Sequence, residues 1–119
     1  MSFKFEKLVV WQMALALTET INEMVKTFPK EEIFVLTSQM KRAADSVVLN
    51  IAEGSIMQTN PENKKFVSYA IRSLAEVVSC LYLAKNRNLI DIKHFDETYQ
   101  KCFELMNRIV KYRNAIQDR

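Results

Sequence analysis

Residues 36–54, LTSQMKRAADSVVLNIAEG, carry the pattern that decides the fold. Apolar residues recur there every three or four positions, which is the period of one face of an α-helix. We expect a helix over about residues 31–53, ended by Gly54 in the left-handed conformation that glycine adopts freely. The expected core stripe of this helix is Leu36, Met40, Ala43, Val47 and Ile51.

The same period predicts three more helices. The first runs from about Leu8 to Thr27 and stops before Pro29, because the residue before a proline avoids the α region. The third begins with Asn60 as N-cap and Pro61 in the first turn, and it frays near residues 86–88. Asp91 is expected to cap the fourth. The expected core positions of these three helices are Val10, Ala14, Leu17, Ile21, Met24, Phe28, Phe66, Ala70, Ser73, Val77, Leu81, Ala84, Ile92, Phe95, Tyr99, Cys102, Met106, Ile109 and Ile116.

Residues that form turns are scarce, with 1 glycine and 2 prolines among 119 residues. A β-sandwich, a barrel or a doubly wound α/β domain needs many tight turns, so these folds are excluded. Disorder is excluded as well, because 49% of the residues are hydrophobic and only 26% are charged. Short connections between long helices favour antiparallel neighbours. We therefore expect one domain over residues 1–119, an all-α, antiparallel up-down-up-down four-helix bundle.

The sequence favours a cytoplasmic protein with no membrane partner. Its longest uncharged apolar run, from Leu8 to Leu17, is far shorter than the roughly 20 residues that span a bilayer. The N-terminus lacks the layout of a signal peptide. Cys80 and Cys102 lie on different predicted helices and form no CxxC motif, so free buried thiols are expected.

Catalytic motifs are missing from the sequence. A di-iron centre in a four-helix bundle needs two Glu-x-x-His pairs, and this chain has one histidine, His94, which we expect on the surface. With one glycine, no phosphate-binding loop, nucleophile elbow or Rossmann fingerprint can be formed. We expect no enzymatic activity, no cofactor and no metal.

A second stripe, made of polar residues, follows the predicted second helix at spacings of 3, 4, 4 and 3, and it continues on the third helix. It is either a solvated face or a contact between copies of the chain, in which arginine and carboxylate side chains pair. Small residues such as Ala44 and Ala52 would let another helix approach closely. The expected oligomer-interface residues are Gln39, Arg42, Ser46, Asn50, Glu53, Arg72 and Glu76. Trp11 is either a lid on the core or, if exposed, an association hot spot.

Basic residues concentrate in the second half of the chain. The net charge is +3, but residues 1–63 carry 6 basic and 8 acidic groups, whereas residues 64–119 carry 11 basic and 6 acidic groups. The expected nucleic-acid-binding residues are Lys64, Lys65, Lys85, Arg87, Lys101, Arg108, Lys111 and Arg113. Clustering of these residues on one exposed surface would favour RNA or DNA as the partner. Interleaving with Glu76, Asp96, Glu97 and Glu104 would favour a protein-interaction scaffold without nucleic-acid contact.

The string RAADSVVLNIAEG, residues 42–54, resembles the R-A-A-x-S-x-x-x-N-I-A-E-G signature of a bacterial four-helix-bundle family. These proteins are encoded by intervening sequences in 23S ribosomal RNA genes and are often labelled ribosomal proteins. Where the family usually has a glycine before its Ser-Leu-x-Glu element, this chain has Arg72. Further matches occur, in the family's order, at Leu8–Gln12 with Ala14, Phe28-Pro29, Leu36–Gln39, Phe66 and Ser73–Glu76.

The resemblance implies an antiparallel four-helix bundle that assembles into a ring-like homopentamer. It also implies kinship with the accessory proteins of diversity-generating retroelements, which are basic pentamers that bind nucleic acid and a reverse transcriptase. The partners it implies are other copies of the chain, RNA or DNA, and a reverse transcriptase in a retroelement context. The biochemical role of the intervening-sequence family itself is not established.

Overall fold

Four long helices surround one apolar core in the computed structural model, which describes residues 1–117. They are α1 (Val9–Val25), α2 (Ser38–Ser55), α3 (Asn60–Asn86) and α4 (Ile92–Ala115). Each of α1 and α3 packs against both α2 and α4, so the helices occupy the corners of a square in chain order. No strand occurs in residues 1–117. The predicted all-α, up-down-up-down four-helix bundle is confirmed.

The bundle has two distinct ends. At the upper end, Glu32 before α2 pairs with Arg87 after α3, with 3.4 Å between guanidinium and carboxylate. The end of α1 and the start of α4 also lie there, because Met24 and His94 line one groove. Both α2 and α4 therefore run from the upper end to the lower end.

The lower end holds the start of α3 and the end of α4. Arg113 donates a hydrogen bond of 2.7 Å from Nε to the Ser68 hydroxyl, which joins these two helices. Gly54 near the end of α2 lies directly against Asn63 in the first turns of α3.

The predicted core stripe of the second helix is confirmed, since all five of its residues are buried. In α3 four of the six predicted core residues are confirmed, since Ala70, Val77, Leu81 and Ala84 are fully buried. The other two are wrong: Val67 and Leu74 are fully buried in place of Phe66 and Ser73, which are half-buried. Either set has the helical spacing, so periodicity alone cannot separate them. Ile92 is wrong as a core residue: it lies in the first turn of α4 and is 66% exposed.

Gly54 does not end α2 in a left-handed conformation, because its φ is not positive and the helix continues to Ser55. Its function is to let α3 approach. A Cβ atom at this position would lie 2.7 Å from the Asn63 side-chain oxygen, 3.1 Å from the Asn63 carbonyl and 3.1 Å from Phe66 Cβ. Distances of this kind leave no room for a methyl group without movement of α3.

Within residues 1–117, the residue in the left-handed conformation is Asn88, with a φ of 60° after the end of α3. Asparagine tolerates that conformation better than other residues with a side chain. The start of α3 also differs from the expectation by one residue: Thr59, and not Asn60, is the N-cap, and its hydroxyl accepts the Glu62 amide. Asp91 caps α4 as predicted, accepting the His94 amide at 2.8 Å.

The connection between α1 and α2 is not the regular helix expected from residue 31. A 3₁₀ turn over Lys30–Glu32 is followed by a π-helical turn over Ile33–Thr37, which we call the π turn, and α2 begins only at Ser38. π turns are rare and occur often at functional sites. This turn lets Leu36 enter the core while the three residues before it stay exposed.

Helix α3 is, by length and composition, the one helix in residues 1–117 that could cross a membrane. The central helix of a soluble bundle can have the same composition. In this bundle α3 packs against α2 on one side and α4 on the other.

Substitution of Gly54 by alanine is expected to lower the free energy of unfolding by about 1–2 kcal/mol, because overpacking against α3 outweighs the gain in helix propensity. Chemical denaturation monitored by circular dichroism measures this. The control is Ala75→Gly, an exposed position in α3, which reports the propensity difference alone. A more stable Gly54→Ala protein would contradict the close approach.

Both cysteines are expected to be inert in the folded chain, where they are free and buried. Burial raises the pKa of the Cys102 thiol to about 12, and burial also raises the pKa of Cys80. Almost no thiolate therefore forms near pH 8, and the thiolate is the reactive species.

Titration with an aromatic disulfide reagent at pH 8 should give no native signal and two thiols per chain in denaturant. Because folding raises both pKa values, stability is expected to fall once the pH exceeds about 9, where the unfolded thiols ionise first. Rapid reaction of Cys102 in the native protein would contradict its burial.

Candidate functional site

Part of the predicted polar stripe joins α2 to α3 within the chain. Gln39 donates to the Glu76 carboxylate at 3.3 Å. The Ser73 hydroxyl donates to the Ser46 hydroxyl at 2.9 Å. Asn50 donates to the Ser46 carbonyl and hydroxyl, both at 2.9 Å. These residues therefore form an ordered polar seam along the line where the two helices meet.

The remaining stripe residues, Arg42, Glu53 and Arg72, are exposed beside this seam. Arg72 stacks on Tyr69, with its guanidinium 5.5 Å from the ring centroid. It is exposed to solvent, so an arginine at this position is compatible with the α2–α3 packing. Within residues 1–117, Arg42 and Glu53 form no hydrogen bond or ion pair.

Apolar side chains are exposed around these charges. Leu49 on α2 is 58% exposed, and Ile56 just after α2 is 60% exposed. Leu83 follows Arg72 and Glu76 on the outer side of α3 and is 39% exposed. We call the surface formed by these side chains and the three charged residues the outer face; its members are Arg42, Leu49, Glu53, Ile56, Arg72 and Leu83.

The π turn presents the most exposed aromatic ring of the bundle. Phe34 is 92% exposed, and its neighbours Ile33 and Val35 are 45% and 56% exposed. The helical pattern of the sequence does not predict this exposed turn. The available signal was the run of four apolar residues at 33–36, of which only Leu36 fits the core stripe.

A groove of about 570 Å³ opens between α1 and α4 at the upper end. Met24, Leu89 and Ile90 give it apolar walls, and Glu97 and Lys101 are among its polar residues. Two smaller cavities, of about 190 and 260 Å³, continue the line between α1 and α4 downward. Their lining residues are Met13, Ala16, Leu17, Thr20, Lys101, Glu104, Asn107, Arg108 and Lys111. The seam between α1 and α4 is therefore open along much of its length.

His94 lies at the surface as predicted, with its Nδ1 atom 2.6 Å from the Asp91 carboxylate. The hydrogen bond from the His94 amide, followed by the contact with its ring, lowers the pKa of Asp91. Asp91 and His94 together cap the start of α4, so their contact has a structural role. No group of three or more metal-ligating side chains occurs in the described part of the chain.

The eight basic residues expected to bind nucleic acid divide into two groups. The upper group is engaged within the chain: Arg87 pairs with Glu32, Lys101 donates to Thr20 at 3.4 Å, and the Lys85 ammonium lies 4.5 Å from the Phe95 ring centroid. The lower group lies near the start of α3 and the end of α4, and two of its members, Arg113 and Lys64, are also engaged within the protein. It consists of Lys64, Lys65, Arg108, Lys111 and Arg113.

A row of aromatic rings lies between α3 and α4. Phe95, Tyr99 and Phe103 stack along α4, with centroids 5.8 and 6.3 Å apart. Tyr82 of α3 packs edge-on against Phe95 at 5.0 Å. Tyr82 is 46% exposed and Phe103 is 53% exposed, so part of this row faces solvent.

Trp11 is half-buried and packs against the core, with its ring 5.0 Å from the Phe5 ring. This placement fits a lid on the lower end of the core. Its indole nitrogen is buried and has no hydrogen-bond partner within the described residues.

Comparison with known proteins identifies the group to which the chain belongs. A Bacteroides thetaiotaomicron protein of unknown function, from the S23 ribosomal protein family, has a solved structure that superimposes with a TM-score of 0.83 at 19% identity. The match covers 90% of this chain and 96% of that one. A search of curated proteins finds no match. The model of the 23S rRNA-intervening sequence protein family matches residues 6–111, and the chain therefore belongs to that family.

Proposed function

We propose that this protein functions by assembly and binding, without catalysis. Copies of the chain associate through the outer face, and the assembly contacts nucleic acid through the lower basic group. The observation that carries the proposal is the state of Arg42 and Glu53, which are exposed among apolar side chains and lack partners in the described chain.

This surface has the composition of a protein contact. Interfaces combine exposed apolar area with arginine, and charged pairs at their edges fix which partner binds. Leu49 and Ile56 supply the apolar area, and the two unpaired charges have opposite sign. The seam beneath is held by side-chain hydrogen bonds, so the two helices that carry the face are fixed relative to each other before contact. The entropy cost of binding then falls mainly on the exposed side chains. The number of five copies comes from the family resemblance alone.

Sedimentation of the wild-type protein is expected to give a mass well above the 13.9 kDa of one chain. Arg42→Ala and Glu53→Ala should each raise the dissociation constant by about tenfold, which equals about 1.4 kcal/mol. The matched control is Lys41→Ala, which removes an exposed charge on the side of α2 that faces α1. A monomer at all concentrations would refute assembly, and equal effects of all three variants would refute the role of the outer face.

The lower end supports nucleic acid as the bound partner. Residues 64, 65, 108, 111 and 113 bring five basic groups to the region where α3 starts and α4 ends. Lys4 and Lys7 precede α1 at the same end. Of the four acids whose interleaving would favour a scaffold, Glu76, Asp96 and Glu97 lie away from this end, and Glu104 lies nearest to it. Glu104 and Glu62 limit the positive field of the basic group. We therefore expect salt-sensitive contact with phosphates and no base-specific binding.

The Lys65→Ala/Lys111→Ala double variant is expected to weaken binding to single-stranded RNA. Each lost phosphate contact should reduce the slope of log affinity against log salt by about 0.7. Filter binding across a salt series measures the slope. The control is Lys26→Ala/Lys93→Ala, which removes the same charge from the upper end. No retention of the wild type at low salt would contradict nucleic-acid binding.

The aromatic row favours a second candidate, a protein-interaction scaffold. Partly exposed Tyr82 and Phe103 resemble the anchors that dominate protein contacts. In that case Phe103→Ala would abolish partner binding, while the lysine double variant would leave it intact. Kinship with the retroelement accessory proteins would make a reverse transcriptase the partner to test first.

A further inference from the structure

We infer that Phe34 of one copy inserts into the α1–α4 groove of the next copy. This inference rests on the proposed self-association and names the second surface of that contact. It requires a protrusion and a cavity that fit each other, and charges that match when the two are brought together.

The protrusion and the cavity are suited to each other in size and chemistry. Phe34 is 92% exposed, with apolar neighbours on both sides in the chain. The groove has a volume of about 570 Å³ and presents Met24, Leu89 and Ile90. This volume lies within the range of about 300–1,000 Å³ that is typical of binding pockets, and polar side chains surround the three apolar ones. A buried phenyl ring surrounded by methionine and aliphatic side chains is a common association hot spot.

Both features lie at the upper end of the bundle, but on different helices. A copy that docks its π turn into a neighbour's groove, and also contacts that neighbour along its length, keeps the same end up, so the two bundles stand side by side. Because α2 and α4 both run downward, α2 of one copy then follows α4 of the next in parallel.

The charges along these two helices match in this arrangement. Counting 1.5 Å per residue, Arg42 lies about 12 Å below Phe34, while Glu104 lies about 10–15 Å below the groove residues 94–97. Glu53 lies about 28 Å below Phe34, and Lys111 lies about 21–26 Å below the same groove residues. In this arrangement Arg42 would lie at about the level of Glu104, and Glu53 within about 2–7 Å of the level of Lys111.

The contact joins two different surfaces, so it is heterologous. A two-fold dimer cannot satisfy both halves of such a contact. Head-to-tail association continues until it closes into a ring or extends as a filament. The π turn and the groove are therefore the two ends of a repeating contact.

Cross-linking tests the contact directly. The native thiols are buried, so a short bismaleimide should react only at engineered cysteines. A mixture of Phe34→Cys and Ile90→Cys proteins should give a linked pair that contains one copy of each. Phe34→Cys alone should give none, because two copies of Phe34 do not meet. Links between two Phe34→Cys chains would show a two-fold contact and would overturn the inference.

Charge reversal tests the register. Phe34→Ala should raise the dissociation constant by about 30-fold or more, as at a hot spot. Arg42→Glu should weaken assembly by about tenfold or more, and Arg42→Glu/Glu104→Arg should restore it to near the wild-type value. A folded but dissociated Phe34→Ala protein, by circular dichroism, excludes simple unfolding.

The two proposals fail in different ways. If the wild type sediments as an oligomer but neither the mixed cross-link nor the charge rescue occurs, this contact is wrong and self-association stands. If the wild type is a monomer, both proposals fail.

Discussion

The close approach of α2 and α3 at Gly54 is the constraint on which the rest of the bundle depends. Without a side chain at this position, Asn63 and Phe66 lie directly on α2. The proximity aligns the two helices, and the hydrogen bond between Ser46 and Ser73 forms further along the same line. The tight turn at Asn88 then places α4 beside α3. Helix α1 completes the square by packing against α2 and α4. The close packing of α2 against α3 and the open groove between α1 and α4 thus both follow from the approach of α3 to Gly54.

The fold was predictable because it depends on periodicity and on the scarcity of turn residues. The stripe of α2 and the cap at Asp91 follow from local rules that hold in any bundle. The function of Gly54 was not predictable, because a glycine after a helical run indicates a helix end as readily as a close contact. Only the position of α3, which is a tertiary fact, distinguishes the two.

The candidate site was predicted less well, for a physical reason. Polar spacing identified the seam residues, but it could not show that Gln39 and Ser46 find partners inside the chain while Arg42 does not. The π turn was hidden because helix rules assume a regular hydrogen-bond ladder, and Phe34 is exposed only because that ladder changes at Ile33. The basic residues were grouped by sequence, whereas antiparallel helices place residues 85 and 113 at opposite ends.

The basic lower end has a consequence that a single chain does not display. One copy offers a handful of cations interleaved with acids, which would bind phosphate weakly. Copies that stand side by side with the same end down would place all these groups on one rim. A polyanion that contacts one copy would then meet the basic groups of the next copies at high effective concentration. Its overall affinity would exceed that of any single contact. Avidity of this kind would couple nucleic-acid binding to assembly. A chain unable to associate would then also bind the nucleic acid more weakly.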